Sequence, residues 1–278
     1  MGLKFCINIK TLLNLKSELL KSFKWYYIWR LNRRLNLNTN PLITEKFGTF
    51  SQNEEDVILQ NIIIKIPEIP KTFIEFGVGD GWENNTVNLI PKFTGFWIGN
   101  EDIKLNSIYA KFVTYFARQV DLDNLPHILN DVISLSQERI GIISIDIDGN
   151  DYYVTEQILK EKKLHPIIFI VEYNSNHEDF YVMNYNSNHK WNGSNKYGAS
   201  YKSYLKLFSE NNFSPVATNL TGVNAFFVSN EYIHLFKHAQ EFPNQLCNPK
   251  FKYYTNYRPT IDKASIFLSR VNKWNSET

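Results

Sequence analysis

Three stretches hold most of the residues whose types and spacing can do chemistry. The first is Phe73-Ile74-Glu75-Phe76-Gly77-Val78-Gly79-Asp80-Gly81, an acid within an apolar run and then glycine at every second position. Glycine opens backbone angles closed to other residues and lets a ligand approach the main chain. A helix following such a turn points its free N–H groups at whatever lies over it. The dehydrogenase fingerprint is G-x-G-x-x-G, whereas Gly77, Gly79 and Gly81 are evenly spaced and Glu75 stands two residues before the first. A carboxylate there repels a pyrophosphate and suits an amino or sulfonium cation, which favours S-adenosylmethionine over NAD. A further acid some 20 residues on is placed to hold ribose hydroxyls. Glu101, with Asp102 beside it, fits that spacing. Asn85, just past the turn, and Asp121, past the third predicted strand, complete the candidate cofactor set.

The second stretch is Asp146-Ile147-Asp148-Gly149-Asn150-Asp151. Its acids and amide offer oxygen ligands to Mg²⁺ or Ca²⁺, so Asp146 and Asp148 are candidate metal ligands. The glycine falls at position 4, which excludes an EF-hand loop. Alternatively, Asp146 or Asp148 is a catalytic base that removes a proton as a hydroxyl attacks a methyl group. Asn150 and Asp151 read as caps of the next helix. Glu172 and Asn174 end the neighbouring strand and either join the site as substrate contacts or close the strand. The third stretch, residues 175–197, is crowded with Asn, Tyr, His and Trp. A loop this long within a domain is often functional, so it is the candidate substrate loop, with Trp191 and Tyr197 as candidate contacts. His177 and His189 read as solvated loop residues within reach of substrate; the six histidines show no HxH or HExxH spacing.

The elements that must position these residues alternate. Ser51, with Glu54 three residues on, reads as a capping box for a helix that Pro67 and Pro70 end. Strands follow at 73–76, 94–98, 113–119, 141–147 and 166–171, and helices near 83–90, 103–112, 121–135, 151–161 and 200–211. Asn219-Leu220-Thr221-Gly222 joins strands 213–218 and 223–228 as a hairpin, and a last helix lies near 261–272. Alternation of this kind makes a parallel α/β sheet, with ligands outside the carboxyl ends of the strands.

The chain has 278 residues with 43% hydrophobic content, enough for one large domain with an appendage. Two cysteines, Cys6 and Cys247, make neither a disulfide scaffold nor a zinc site, and a reducing, cytoplasmic setting is expected. Residues 1–46 carry a net charge of +7 and the remainder −5, so the body is not a nucleic-acid binder. The first 46 residues form a basic, aromatic arm with a helix over 8–36. It either packs on the body or another subunit, or lies peripherally on the inner face of a membrane. No apolar run is long enough to span a bilayer.

Four segments resemble the FkbM-like branch of class I S-adenosylmethionine-dependent methyltransferases. They are Ser51-Gln52 with Glu55-Asp56; IEFGVGDG with WENNT, from Ile74 to Thr86; IDIDGND, closing at Asp151, with Ile170–Asn174; and Trp191-Asn192-Gly193 through Ser200, followed by Gly222–Val228. The likeness spans about residues 48–230. Where that family often has an acid directly after the second strand, this chain has Gly99. The resemblance implies a Rossmann-like domain over 47–278, with a mostly parallel seven-stranded sheet of order 3-2-1-4-5-7-6. It also implies O-methylation, commonly of sugars or secondary metabolites. The expected reaction is methyl transfer to a hydroxyl of a sugar, surface glycan or related small molecule. The alternatives are a binding or assembly protein on the same fold, and a metal-dependent enzyme using Asp146, Asp148 and Glu172.

Overall fold

The computed structural model describes residues 26, 28–79, 81–100, 109–136, 139–241, 246 and 263–277. Its centre is a sheet of β1 (Thr72–Phe76), β2 (Thr94–Gly99), β3 (Val113–Ala117), β4 (Ile142–Ile145), β5 (Ile168–Glu172), β6 (Phe213–Thr218) and β7 (Asn224–Ser229). The strand order is β3-β2-β1-β4-β5-β7-β6. Only β7 is reversed, running antiparallel to both β5 and β6. This is the order and the reversed strand of the Rossmann-like class I methyltransferase sheet, as the sequence led one to expect.

The sheet is parallel at its centre because both of its faces are covered. Every residue of β1, β4 and β5 is buried, which is why these strands read as near-continuous apolar runs. Successive side chains take opposite faces. Phe73 meets Ile58, Leu59 and Ile62 of α1 (Glu55–Lys65) in one core. Ile74 and Phe76 join the other, with Leu125, Ile128, Leu129 and Val132 of α2 (Leu125–Leu135). Helices α3 (Asp151–Glu161) and α4 (Tyr201–Ser209) complete that second face. A short α5 (Lys237–Glu241) and a C-terminal α6 (Lys263–Glu277) follow. Lys263 ties α6 to the carbonyls of Phe50 and Trp82 at 2.9 and 3.1 Å.

Some elements differ from the sequence reading. The segment after the glycine turn holds only a 3-10 turn, Val87–Leu89, rather than a helix. Of the helix expected over 103–112, residues 101–108 lie outside the described residues, and Tyr109–Lys111 form a 3-10 turn. In the arm, residues 1–25 and 27 lie outside the described residues, whereas residue 26 and residues 28–37 are helical. Leu31 of that helix is buried in the same core as Ile58 and Phe73, and Arg34 donates to the Leu220 carbonyl. The 219–222 hairpin is present, with the Asn219 side chain accepting from the N–H groups of Val223 and Asn224 at 2.8 and 3.1 Å.

The expected capping box at Ser51 and Glu54 does not form. Helix α1 starts at Glu55, and Ser51 pairs with Asp56 instead. Its Oγ accepts from the Asp56 N–H at 3.1 Å and donates to the Asp56 carboxylate at 3.0 Å. The same carboxylate accepts from the N–H groups of Thr49 and Phe50 at 2.9 and 2.8 Å. Glu54 turns the other way and accepts from the Leu220 N–H of the hairpin. Glu55 accepts from Asn53 and, at 2.6 Å, from Asn219 Nδ2. All three acids are buried. Removing the Asp56 carboxylate strands the buried N–H of Phe50 and the half-buried N–H of Thr49. Asp56→Ala is therefore expected to lower unfolding stability by about 2–4 kcal/mol, and Asp56→Asn by less, as read from urea denaturation. Equal stabilities for the two variants and the parent chain would contradict that role.

Candidate functional site

The carboxyl ends of β1 to β4 enclose a cavity of about 310 Å³. At its base, β1 runs into three glycines in the left-handed region, with φ of +87° at Gly77, +44° at Gly79 and +81° at Gly81. Gly77 is also required sterically, since a Cβ there would lie 1.6 Å from the Asp146 carbonyl oxygen. The turn thus presses on the end of β4. At Gly79 a Cβ would meet nothing within 4 Å, so the main chain there faces open space. Gly77 and Gly79 line the cavity.

Glu75 does not reach the cavity. Its carboxylate accepts from the N–H groups of Asn85 and Thr86 at 2.8 and 3.2 Å and from the Thr86 hydroxyl. Thr86 Oγ1 in turn accepts from Trp97 Nε1 at 2.9 Å. The N–H groups expected to aim at a ligand are therefore taken by Glu75 beneath the turn. Burial pushes the Glu75 carboxyl above its ordinary range, and the bonds to Thr86 and Asn85 oppose that shift. Asn85 also turns inward, donating to Ser144 Oγ at 3.1 Å. Both residues tether the turn.

Glu101 and Asp102 lie outside the described residues. Gly99 and Asn100, which precede them at the end of β2, line the cavity. Asp121 closes its own turn, accepting from the N–H groups of Asn124 and Asp123 at 2.9 and 3.1 Å. The cavity wall at the end of β3 is Arg118, Gln119 and Val120 instead. Sequence reasoning passed over these three, although their place directly after a strand was the available signal.

The end of β4 carries the acids. Asp146 and Asp148 line the cavity, and oxygens of Asp146, Asp148 and Glu172 all lie within 4.8 Å of one another. Asp148 sits at φ +57°, a conformation aspartate tolerates better than most residues. Burial raises the Asp146 carboxyl well above its usual range, and the charges of Asp151, Asp148, Glu55 and Glu75 add to it. Desolvation raises Asp148 too, with His189 pulling the other way. Three converging carboxylates fit the all-oxygen coordination that Mg²⁺ or Ca²⁺ takes.

The expected capping of α3 takes another form. Asp151 reaches back and accepts from the N–H groups of Ile147 and Gly149 at 2.7 and 2.8 Å, bracing the turn that carries Asp148. Burial outweighs these bonds and pushes Asp151 up to about 6. Asn150 makes no cap bond. It donates to the Asn186 carbonyl at 2.7 Å and accepts from the Asn186 N–H at 3.2 Å.

The 175–197 loop lies across these ends, and Ser187, Asn188, His189 and Lys190 line the cavity. His189 is thus a lining residue rather than a solvated one. Its ring packs on Gly149, where a Cβ would come within 2.3 Å of His189 Cδ2. His177 stays at the periphery, stacked on Tyr181 at 3.6 Å. Asn174 belongs to the loop's internal framework, donating to the carbonyls of Asn195 and Tyr197 at 2.8 and 2.9 Å. Tyr197 is buried, and its phenol is pushed up by burial and by Glu172, Asp146, Asp151 and Asp148. Trp191 is half exposed, edge-on to Tyr197 at 6.2 Å, and is not among the lining residues.

No family model matches the chain, and no curated protein matches it. Among solved structures, an O-methyltransferase from Bacillus cereus in complex with S-adenosylhomocysteine is 17% identical, with a TM-score of 0.40. That match covers 71% of this chain and 88% of the other. An S-adenosylmethionine-dependent methyltransferase from Clostridium acetobutylicum is 12% identical over 66% and 92% of the two chains, with a TM-score of 0.40. A 1,6-didemethyltoxoflavin-N1-methyltransferase from Burkholderia thailandensis is 11% identical over 82% and 91%, again at 0.40. Likeness at this level carries nothing about acceptor or residue roles; the fold rests on the strand order itself.

The buried acids give stability a definite pH dependence. Asp151 is raised in the folded state, so the folded chain holds a proton that the unfolded chain releases at lower pH. Its contribution is present below the unfolded value and is lost as pH rises through about 6. Asp146, Glu54, Asp56 and Glu75 shift in the same direction. Ligand-free protein is therefore expected to be more stable at pH 5 than at pH 7.5, with Asp151 alone contributing on the order of 1 kcal/mol between those two values. Urea unfolding at the two pH values checks this, and stability that rises with pH would refute it.

Proposed function

We propose that this chain is an S-adenosylmethionine-dependent O-methyltransferase acting on a hydroxyl of a sugar, surface glycan or related small molecule. The observation that carries this reading is the cavity at the strand ends, with a left-handed glycine turn at its base and Asp146 and Asp148 in its wall. The residues present fit the cofactor. Gly79 leaves the main chain open to it, and Gly77, Gly99, Asn100 and the 118–120 segment line the rest of the cavity. Glu101 and Asp102 remain the proposed ribose contacts. When bound, S-adenosylmethionine supplies an electrophilic methyl group on a cationic sulfur.

What the chain itself must do is align an acceptor oxygen and take its proton. Asp148 serves as the base. It reaches the cavity, and desolvation raises its carboxyl above the ordinary aspartate value, which makes it a stronger proton acceptor. Asp146 supports the same end of the cavity. The aromatic faces of the 175–197 loop suit a sugar ring, with Tyr197 and Trp191 as the proposed contacts and Glu172 behind them. A second reading is favoured by the convergence of Asp146, Asp148 and Glu172. These three would hold Mg²⁺, which would lower the pKa of an acceptor hydroxyl as a Lewis acid.

The arm adds a proposed peripheral role at the inner face of a membrane or at a subunit contact. Trp29 and Tyr26 are more than half exposed, with Arg33 and Arg30 over their rings.

Calorimetry with S-adenosylhomocysteine is the direct test, and absence of binding by folded protein would end the reading. Gly79→Ala should weaken that binding at least tenfold while leaving the fold intact, because the position is left-handed and open to the cavity. Asp148→Asn is expected to lower kcat by about 10²–10⁴-fold with cofactor binding retained. Turnover unchanged by EDTA would remove the Mg²⁺ version and leave the carboxylate base.

A further inference from the structure

The 175–197 loop roofs the same cavity whose base is the glycine turn, and among the bonds that hold this roof several lie beside the cavity. Asn150 makes a two-way pairing with the Asn186 main chain, at 2.7 and 3.2 Å. Gln119 Nε2 donates to the Ser187 carbonyl at 2.8 Å. The Tyr185 hydroxyl accepts from the Leu122 N–H at 3.1 Å, and Tyr153 donates to the Met183 carbonyl at 2.9 Å. The Gly198 N–H donates to the Gly149 carbonyl at 3.0 Å. Of these ties, the Asn150 pairing alone joins the roof to the acid-bearing turn through both its donor and its acceptor. Asn150 lies two residues from Asp148, its side chain is buried, and Asn186 immediately precedes the lining residues Ser187 to Lys190.

We propose that Asn150 is a positioning residue that latches the candidate substrate loop onto the Asp146–Asp148 turn, so that filling the cavity and closing the loop favour one another. A ligand seated on Gly77 and Gly79 touches the floor and the 187–190 roof together, and it therefore binds the closed arrangement better than an open one. Such a difference in affinity is all that coupling requires. An asparagine suits this task because its carboxamide carries a donor and an acceptor side by side, matching the N–H and C=O of a single residue. Aspartate at this position keeps the acceptor but sets a carboxylate oxygen against the Asn186 carbonyl. The sequence showed Asn150 only as a capping candidate, a role that its geometry excludes. This inference deepens the proposed function and rests on it for the identity of the cavity's occupant. The latch itself can be tested without any ligand.

The experiment is trypsin cleavage at Lys190 and Lys196, both exposed on the loop, with and without S-adenosylhomocysteine. Cleavage at Lys160 and Lys162, exposed at the end of α3, reports global opening. In ligand-free protein, Asn150→Asp should raise the loop cleavage rate about tenfold with the α3 rate unchanged. S-adenosylhomocysteine should slow loop cleavage of the parent chain and protect the Asn150→Asp chain at least fivefold less. Gln119→Ala, an exposed substitution that removes the tie from the other side, should speed loop cleavage in the same direction. It stands in if Asn150→Asp fails to fold, and an unchanged loop rate in a folded Gln119→Ala chain would then count against the latch. Equal loop cleavage by parent and Asn150→Asp chains overturns the proposal. If the parent chain binds no S-adenosylhomocysteine, the proposed function fails, whereas the ligand-free cleavage rates still decide the latch.

Discussion

Main-chain N–H groups at the ligand end of the sheet have lost their strand and helix partners, and buried carboxylates replace them. Asp56 takes the N–H groups of Thr49 and Phe50, Glu75 those of Asn85 and Thr86, and Asp151 those of Ile147 and Gly149. Glu54 takes that of Leu220. An ionised carboxylate is acceptor-only with two oxygens, so Asp56, Glu75 and Asp151 each bracket a pair of N–H groups and fix the loop between them. An orphaned buried N–H costs about 1–3 kcal/mol, which makes these acids structural before they are anything else. The turn that carries Asp146 and Asp148 is held in this way.

This arrangement explains which parts of the molecule were legible in the sequence. Strand type and the parallel arrangement follow from alternation and from uninterrupted apolar runs such as 167–171, because covering both faces of a sheet leaves a pattern in residue type; the strand order is implied by the family resemblance alone. The roles of the acids do not follow, because residue type carries no direction. Glu75 precedes a glycine turn whether it points up at a cation or down at Thr86, and the sequence is the same in both cases. The deciding feature is Thr86 with Trp97 behind it, a partner set assembled across two strands. Asn174 and Asn85 read as ligand-facing for the same reason and are internal ties for the same reason. Asp146 and Asp148 face the cavity because the turn they occupy has its N–H groups satisfied by Asp151.

The loop shows the opposite error. His189 read as a solvated residue, yet it lines the cavity, and its place depends on Gly149 having no side chain. That glycine is not in the left-handed region, so its need is steric. A contact between residues forty positions apart leaves no local trace in either segment.

At the end of β4 the acids that face the cavity form a cluster of like charge, with Arg118 and Lys190 elsewhere in the wall. The largest influences on Asp146 disfavour its ionised form: burial first, then Asp151, Asp148, Glu55 and Glu75. Two carboxylate charges at 4.8 Å repel by about 3 kcal/mol even at an effective dielectric of about 20. The fold tolerates this either by keeping protons in the cluster or by accepting a positive charge there. A sulfonium or ammonium group and a divalent cation both meet the second condition, and both draw on the same carboxylates. They are therefore competing solutions to one electrostatic problem. A carboxylate that coordinates an ion is no longer free to remove a proton from an acceptor. The carboxylate-base and metal readings of this site thus exclude each other at Asp148, although they share every residue around it.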